Sequence, residues 1–235
     1  MVKNPITSNA MLMAGFALVT AFLLAGTHLG TREQIARSER QAAEKALLEI
    51  VPAQRHDNDI LTDNLPVPTE YWAQLGLVEG GDIHVARQNH HVVAVIVPAV
   101  APDGYSGDIR LIVGINIDGD IAGVRVLDHR ETPGLGDKVE LKKSDWILGF
   151  NGKSLLNPAP DAWKVKKDGG EFAQFTGATI TPRAIVQQVK LALDYFKMDR
   201  TRILGLLTKH NGLEQSPAHP ASTHGERGES TGDSQ

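Results

Sequence analysis

The chain has 235 residues, enough for one domain with appendages or two small ones, and an apolar content that allows a sizeable core. Lys and Arg number 24 against 28 Asp and Glu, a formal charge of -4, and no basic stripe stands out, which argues against nucleic acid as the main partner. With no cysteine, disulfides, thiolate-held iron–sulfur clusters, Cys-type zinc sites and a lipoprotein anchor are excluded.

Residues 10–29 are uncharged and mostly apolar. At 1.5 Å per residue, a run of roughly 20 residues crosses the ~30 Å hydrocarbon core of a bilayer. It is also longer than the ~7–15 residue core of a cleaved signal, so we read residues 10–30 as a transmembrane anchor. Residues 31–52 read as a helical stalk. Thr31 is its expected cap, Ile35, Ala42, Ala46 and Ile50 form a modest apolar side, and Pro52 is the stop. Arg32, Arg37, Arg40 and Lys45 follow the span, but Glu33, Glu39 and Glu44 are mixed among them, and charge alone leaves the orientation open.

From Ile83 the hydrophobic period changes to two, predicting strands at 83–86, 91–97, 109–115 and 121–127. Asp118-Gly119 between the last two is a hairpin signal. Asn116, Asp118 and Asp120 suggest a calcium loop, but Ile121 and Leu127 occupy its glycine and final acid positions, so that reading fails. His90-His91 reads as a surface pair, and residues 101–107 as a turn-rich loop. Residues 129–138 (HRETPGLGDK) form a Pro-Gly turn without the spacing of a phosphate-binding loop. Gly134 and Gly136 would let backbone lie against a flat ring, with Leu135 adding apolar contact. Trp146 and Trp163 read as core residues, and 164–170 as strand then turn.

Thr176-Gly177-Ala178-Thr179 comes next, followed by Thr181 and Pro182. Thr181 reads as a helix N-cap and Pro182 as the first helical residue, with Ile185, Val189, Ala192 and Phe196 on one face of a helix over 182–198. Free N–H groups and the positive dipole end beside Thr179 would suit a phosphate. After Leu207 the chain turns polar, and 208–235 read as a disordered tail.

Thr-Gly-Ala-Thr resembles the flavinylation motif of proteins that carry FMN on a threonine through a phosphoester bond. The modified residue would be Thr179, and the motif's leading acid falls on Ala173, with Asp168 and Glu171 nearby. Glu131-Thr132-Pro133-Gly134-Leu135-Gly136 resembles the glycine-rich loop of the same flavoproteins. Together with Asp103-Gly104-Tyr105-Ser106-Gly107 and the single N-terminal span, these motifs make residues 92–198 similar to the G subunit of the Rnf (Rsx) ion-translocating electron transport complex.

The resemblance implies an α+β fold: a transmembrane helix and stalk, then a mostly antiparallel FMN-binding domain over 53–207 with packed helices. It implies covalent FMN on Thr179, with Thr176, Gly177, Ala178 and Thr181 shaping the attachment loop and Glu131, Thr132 and Leu135 beside the ring. No metal site and no acid–base catalyst are expected. It further implies a bacterial inner-membrane location with residues 1–9 cytoplasmic and the domain periplasmic. The implied partners are other membrane and iron–sulfur subunits and a flavin transferase that supplies FMN from FAD. Two alternatives remain: the homologous FMN subunit of a sodium-translocating NADH:quinone reductase, and an unflavinylated membrane-anchored binding or assembly module.

Overall fold

The computed structural model of the chain describes residues 5–214. Pro5–Ile50 form one helix of 46 residues, α1. Its apolar half exposes Met11, Phe16, Phe22 and Leu24 around its circumference, and it is long and apolar enough to cross a membrane. Inside the apolar half, the Thr20 and Thr27 hydroxyls donate to the carbonyls of Phe16 (2.9 Å) and Leu23 (2.6 Å), which satisfies them without water. Thr31 does the same to Thr27 O at 2.8 Å. It is therefore an interior residue and not the cap expected from the sequence: anchor and stalk are one uninterrupted helix. The stalk's expected apolar side is also shorter, because Ile35 and Ala42 stay exposed and burial begins only at Ala46. Pro52 disfavours helical geometry at Val51, and α1 ends at Ile50.

Five strands follow in an antiparallel meander, adjacent in chain order: β1 (Asn64–Pro66), β2 (Asp82–Gln88), β3 (His91–Gly104), β4 (Gly107–Asn116) and β5 (Ile121–Asp128). All four strands predicted from the period-two pattern are present; β1 and the one-turn helix α2 (Trp72–Leu75) are too short to leave a pattern. Asn89 and His90, both at positive φ (50° and 64°), make the two-residue turn from β2 to β3. Gly119, at φ 102°, closes the turn expected at Asp118-Gly119. The loop expected at 101–107 is mostly strand, since β3 continues to Gly104 and Tyr105 and Ser106 alone turn the chain.

Alternate residues of the strands serve two cores. Val95, Val97 and Ala99 of β3, with Leu111, Val113 and Ile115 of β4, pack against helix α3 (Ile180–Glu214). Ala94, Ile96 and Ile112 face the other way and meet Ala46, Leu47 and Ile50 at the end of α1. Gly114 and Gly123 pair across β4 and β5 and form a seat beneath Ile50; a Cβ on Gly114 would overlap Ile50 Cγ2. Burying an isoleucine in such a seat stabilises by about 1.5–3 kcal/mol. Arg125 of β5 reinforces the joint, its Nε donating to Glu49 Oε2 at 2.9 Å. The stalk is thus part of the domain's packing.

Between β5 and α3 the chain runs through short 3-10 turns wrapped on an aromatic cluster. Phe150, Trp163 and Phe172 are buried, with Phe150 and Phe172 stacked at 4.7 Å between centroids. Residues 164–170 contribute one bridge, Val165 to Phe172, and a 3-10 turn at Lys166–Asp168, in place of the expected strand. Helix α3 starts two residues earlier than expected, at Ile180, and continues well past Met198. Ile185, Val189, Ala192 and Phe196 form its buried face as the spacing required, joined by Leu193 and Ile203. Residues 208–214 of the expected tail are helical; the rest of that tail, and the first four residues of the expected N-terminal segment, lie outside the described residues.

Candidate functional site

The Thr-Gly-Ala-Thr stretch turns tightly before α3. Ala178 N donates to Phe175 O at 3.1 Å, and Gly177, third in the turn, sits at φ 82°, where a side chain would be strained. The turn is held from below. Phe175 is buried edge-on to Trp146 at 5.1 Å, and Trp146 Nε1 donates to Ala173 O at 2.7 Å. At Ala173 the fold thus grips the carbonyl and leaves the methyl exposed. Thr176 and Gly177 are exposed; Ala178 and Thr179 are half-buried.

Thr179 occupies the cap position: its carbonyl accepts the first helical bond, from Arg183 N at 3.2 Å. The N–H groups of Ile180 and Thr181 have no carbonyl four residues back within the helix, so the N-terminal mouth of α3 opens beside the Thr179 side chain. Thr181, expected as the cap, instead lies within the first turn and is fully buried. Its hydroxyl donates to Glu131 Oε2.

Glu131 is the tie between the two motif-bearing loops. While Oε2 takes the Thr181 hydroxyl, Oε1 accepts Ser106 N at 2.9 Å from the β3–β4 turn. Its own N–H donates to His129 Nδ1 at 3.0 Å, which leaves His129 Nε2 as the donor toward Glu140 Oε1 at 2.9 Å. Gly136 makes the tie sterically feasible, because a Cβ there would lie 2.7 Å from Glu131 Oε2 and 2.9 Å from Thr181 Oγ1. The intervening loop is rigid: Leu135 and Gly136 both donate to Thr132 O at 3.1 Å, and Gly134 N donates to Asp137 Oδ1 at 2.8 Å. Thr132 is exposed on it. Leu135, 42% exposed, brings Cδ2 to 3.4 Å from where a Cβ on Gly177 would stand. So Leu135 and Gly177 lie against each other at the surface, Thr179 follows half-buried two residues on, and Glu131 and Thr181 are buried. The sequence named these residues, and placed Ser106 and His129 within its loop motifs without a role, but the contacts that join them were not legible there.

One turn into α3, Arg183 clasps Asp168 with two bonds, 2.7 and 2.9 Å. The Arg183 hydrogen bond holds the Asp168 carboxyl below its ordinary value, aided by Lys167 and Lys164 and opposed by some desolvation. Glu171 pairs with Lys153. Both acids near Ala173 are therefore engaged, and the cations around Asp168 outnumber it. A cavity of about 130 Å³ between α2 and α3 and a groove of about 850 Å³ between α1 and β5 lie elsewhere on the molecule.

Residues 104–194 match the FMN-binding domain family, from the β3–β4 turn to the middle of α3, and residues 1–50 match the RnfG N-terminal region, which ends where α1 ends. The chain is 50% identical over 202 residues to the G subunit of the ion-translocating oxidoreductase complex of Pseudomonas aeruginosa, covering 86% of this chain and 94% of that one. It is 44% identical over 201 residues to the corresponding G subunit of Vibrio atlanticus, covering 86% and 95%.

Proposed function

Since this chain belongs to the G-subunit family of ion-translocating oxidoreductase complexes, as an FMN-binding redox subunit with a membrane anchor, we propose that it carries FMN covalently on Thr179. The residues present fit such a group. A hydroxyl stands at the N-terminal mouth of a long helix, which favours a phosphate charge by about 0.3–1 kcal/mol at an exposed site. Around it the surface is free of bulk: a Cβ on Gly134 would meet nothing within 4 Å, and one on Gly177 only Leu135. The cation excess at Lys164, Lys167 and Arg183 suits an anionic cofactor.

The observation that carries the reading is the contact of the two loops through Thr181 and Glu131, which fixes Thr179 relative to Leu135. Thr179 is half-buried and lines neither cavity, so apolar enclosure contributes little there and a covalent bond removes the dissociation equilibrium. In attachment, Thr179 Oγ displaces AMP from FAD within a separate flavin transferase. The Oγ–P bond forms, the anhydride P–O bond breaks, and the hydroxyl proton is released. The bound ring supplies the electron chemistry; Glu131 and Thr181 position the tether from below, and Leu135 offers an apolar contact at the surface. The domain lies on the periplasmic face of a bacterial inner membrane, where a tether prevents loss of flavin. It exchanges electrons with membrane and iron–sulfur subunits of the complex.

The test is a denaturing gel scanned for flavin fluorescence, on protein made together with a flavin transferase, followed by intact mass. We expect a fluorescent band and one added FMN, both lost in Thr179→Ala. A dark band of bare polypeptide mass would instead favour an unflavinylated assembly module, which Ala173 in place of the motif's acid keeps in view.

A further inference from the structure

The groove of about 850 Å³ between the stalk and the sheet edge lies outside the flavin surface and has no part in the reading above. Its floor is apolar, made by Ala43 and Ala46 of α1 and by Val126, Leu127 and Leu141. Its charges are unbalanced. Glu49 is taken by Arg125, and the neutral His129 bonds Glu140 without cancelling its charge, which leaves Arg40, Lys45, Arg110 and Lys142 against the two carboxylates of Asp128 and Glu140. All four cations are exposed, and among the described residues none makes an ion pair. This cationic concentration occurs on a chain whose formal charge is -4.

We propose that the groove docks an acidic polypeptide segment of another subunit of the complex. The groove's walls are fixed by the Ile50 seat and the Glu49–Arg125 pair, so it is pre-formed for a partner and needs little ordering on binding. Strand β5 is the sheet's edge and Leu127 is 39% exposed on it, giving an apolar centre inside a charged rim, the ordinary anatomy of an interface. The rim cations would steer and register a negative partner. Membrane lipid fits the distance poorly. Arg40 lies 11 residues beyond the apolar run that ends at Leu29, roughly 16 Å along the helix, whereas headgroups extend only about 5–8 Å past the hydrocarbon. The far end of the groove reaches His129, which is bonded to Glu131 beneath the flavin surface, so the docked segment lies beside that surface.

The test uses the assembled complex with an affinity tag on this subunit. Lys45→Glu, Arg110→Glu and Lys142→Glu together should lower recovery of the partner subunits at least about tenfold, with Tm and flavin content unchanged. A photo-crosslinking residue in place of Ala43 should trap a peptide of a neighbouring subunit with net negative charge. Full recovery of partners with the triple variant would overturn the proposal, as would a crosslink to a neutral or basic segment. Loss of partners only in nanodiscs of anionic lipid, with full retention in neutral lipid, would overturn it in favour of the membrane. Thr179→Ala should keep its partners, so failure of the flavin assignment leaves this result readable.

Discussion

Thr179 and Thr181 stand two residues apart and do different work. Thr179 is half-buried at the helix's N-terminal cap position; Thr181 is fully buried, its hydroxyl bonded to a carboxylate. Replacing Thr181 with valine keeps the shape but leaves Glu131 Oε2 without its donor, a cost of about 1–3 kcal/mol for a buried polar group. In a chain of this size that lowers Tm by roughly 2–4 °C per kcal/mol. We expect Thr181→Val to melt earlier in calorimetry and to accept less flavin than wild type, even though its Thr179 is intact; an unchanged melt would remove Glu131 from its role as tie. The Asp168–Arg183 clasp gives a pH test. Because the folded protein holds the Asp168 carboxyl below its unfolded value of 3.8, its stabilisation is complete above that value and is lost as pH falls through the lowered one. The Tm difference between wild type and Asp168→Asn should be present at neutral pH and should vanish in acid. A difference that persists once the carboxyl is protonated would assign it to something other than charge.

At the level of elements, the decisive joint is α1 on the sheet. A helix whose first half is long and apolar enough to cross a membrane ends by filling a two-glycine seat in the sheet, so helix and domain share one packed joint. Gly114→Ala would force a Cβ into Ile50, and overpacking of this kind costs about 1–3 kcal/mol. Limited proteolysis near residue 50 should accelerate in Gly114→Ala, and Ile50→Ala, which removes the clashing Cγ2, should cost less protection in that chain than in wild type, since the two residues share one contact. Additive effects would argue against the seat. The aromatic cluster is the equivalent joint for the Thr-Gly-Ala-Thr turn: Trp146 holds it by a hydrogen bond to Ala173 O and by contact with Phe175.

For the molecule as a whole, the exposed apolar half of α1 requires a membrane. The full chain should resist extraction by alkaline carbonate, and a form lacking residues 1–30 should partition into the soluble fraction and still melt cooperatively. That form keeps Ala46, Leu47 and Ile50, the residues through which α1 stabilises the domain. Release of the full chain by carbonate would count against the anchor. The joint at Ile50 sets the sheet domain, and with it the cationic groove, on the end of the helix that carries the apolar span.

Features that depend on local pattern were legible in the amino-acid order. They are the apolar span, four strands from their period of two, the hairpin at Asp118-Gly119, the buried face of α3, and the two motifs whose order points to a flavoprotein subunit. A single element's periodicity, or a short run of neighbours, carries each of them. Where the pieces meet was decided by long-range packing instead. Local capping rules favoured Thr181, but burial against Glu131, fifty residues earlier in the chain, drew it into the helix and left Thr179 at the mouth. The seat beneath Ile50, the grip of Trp146 on Ala173 and the unbalanced charges of the groove were equally beyond local reading. Each is a contact between residues far apart in the chain, and the free energy of such contacts has no trace in the order of neighbouring amino acids.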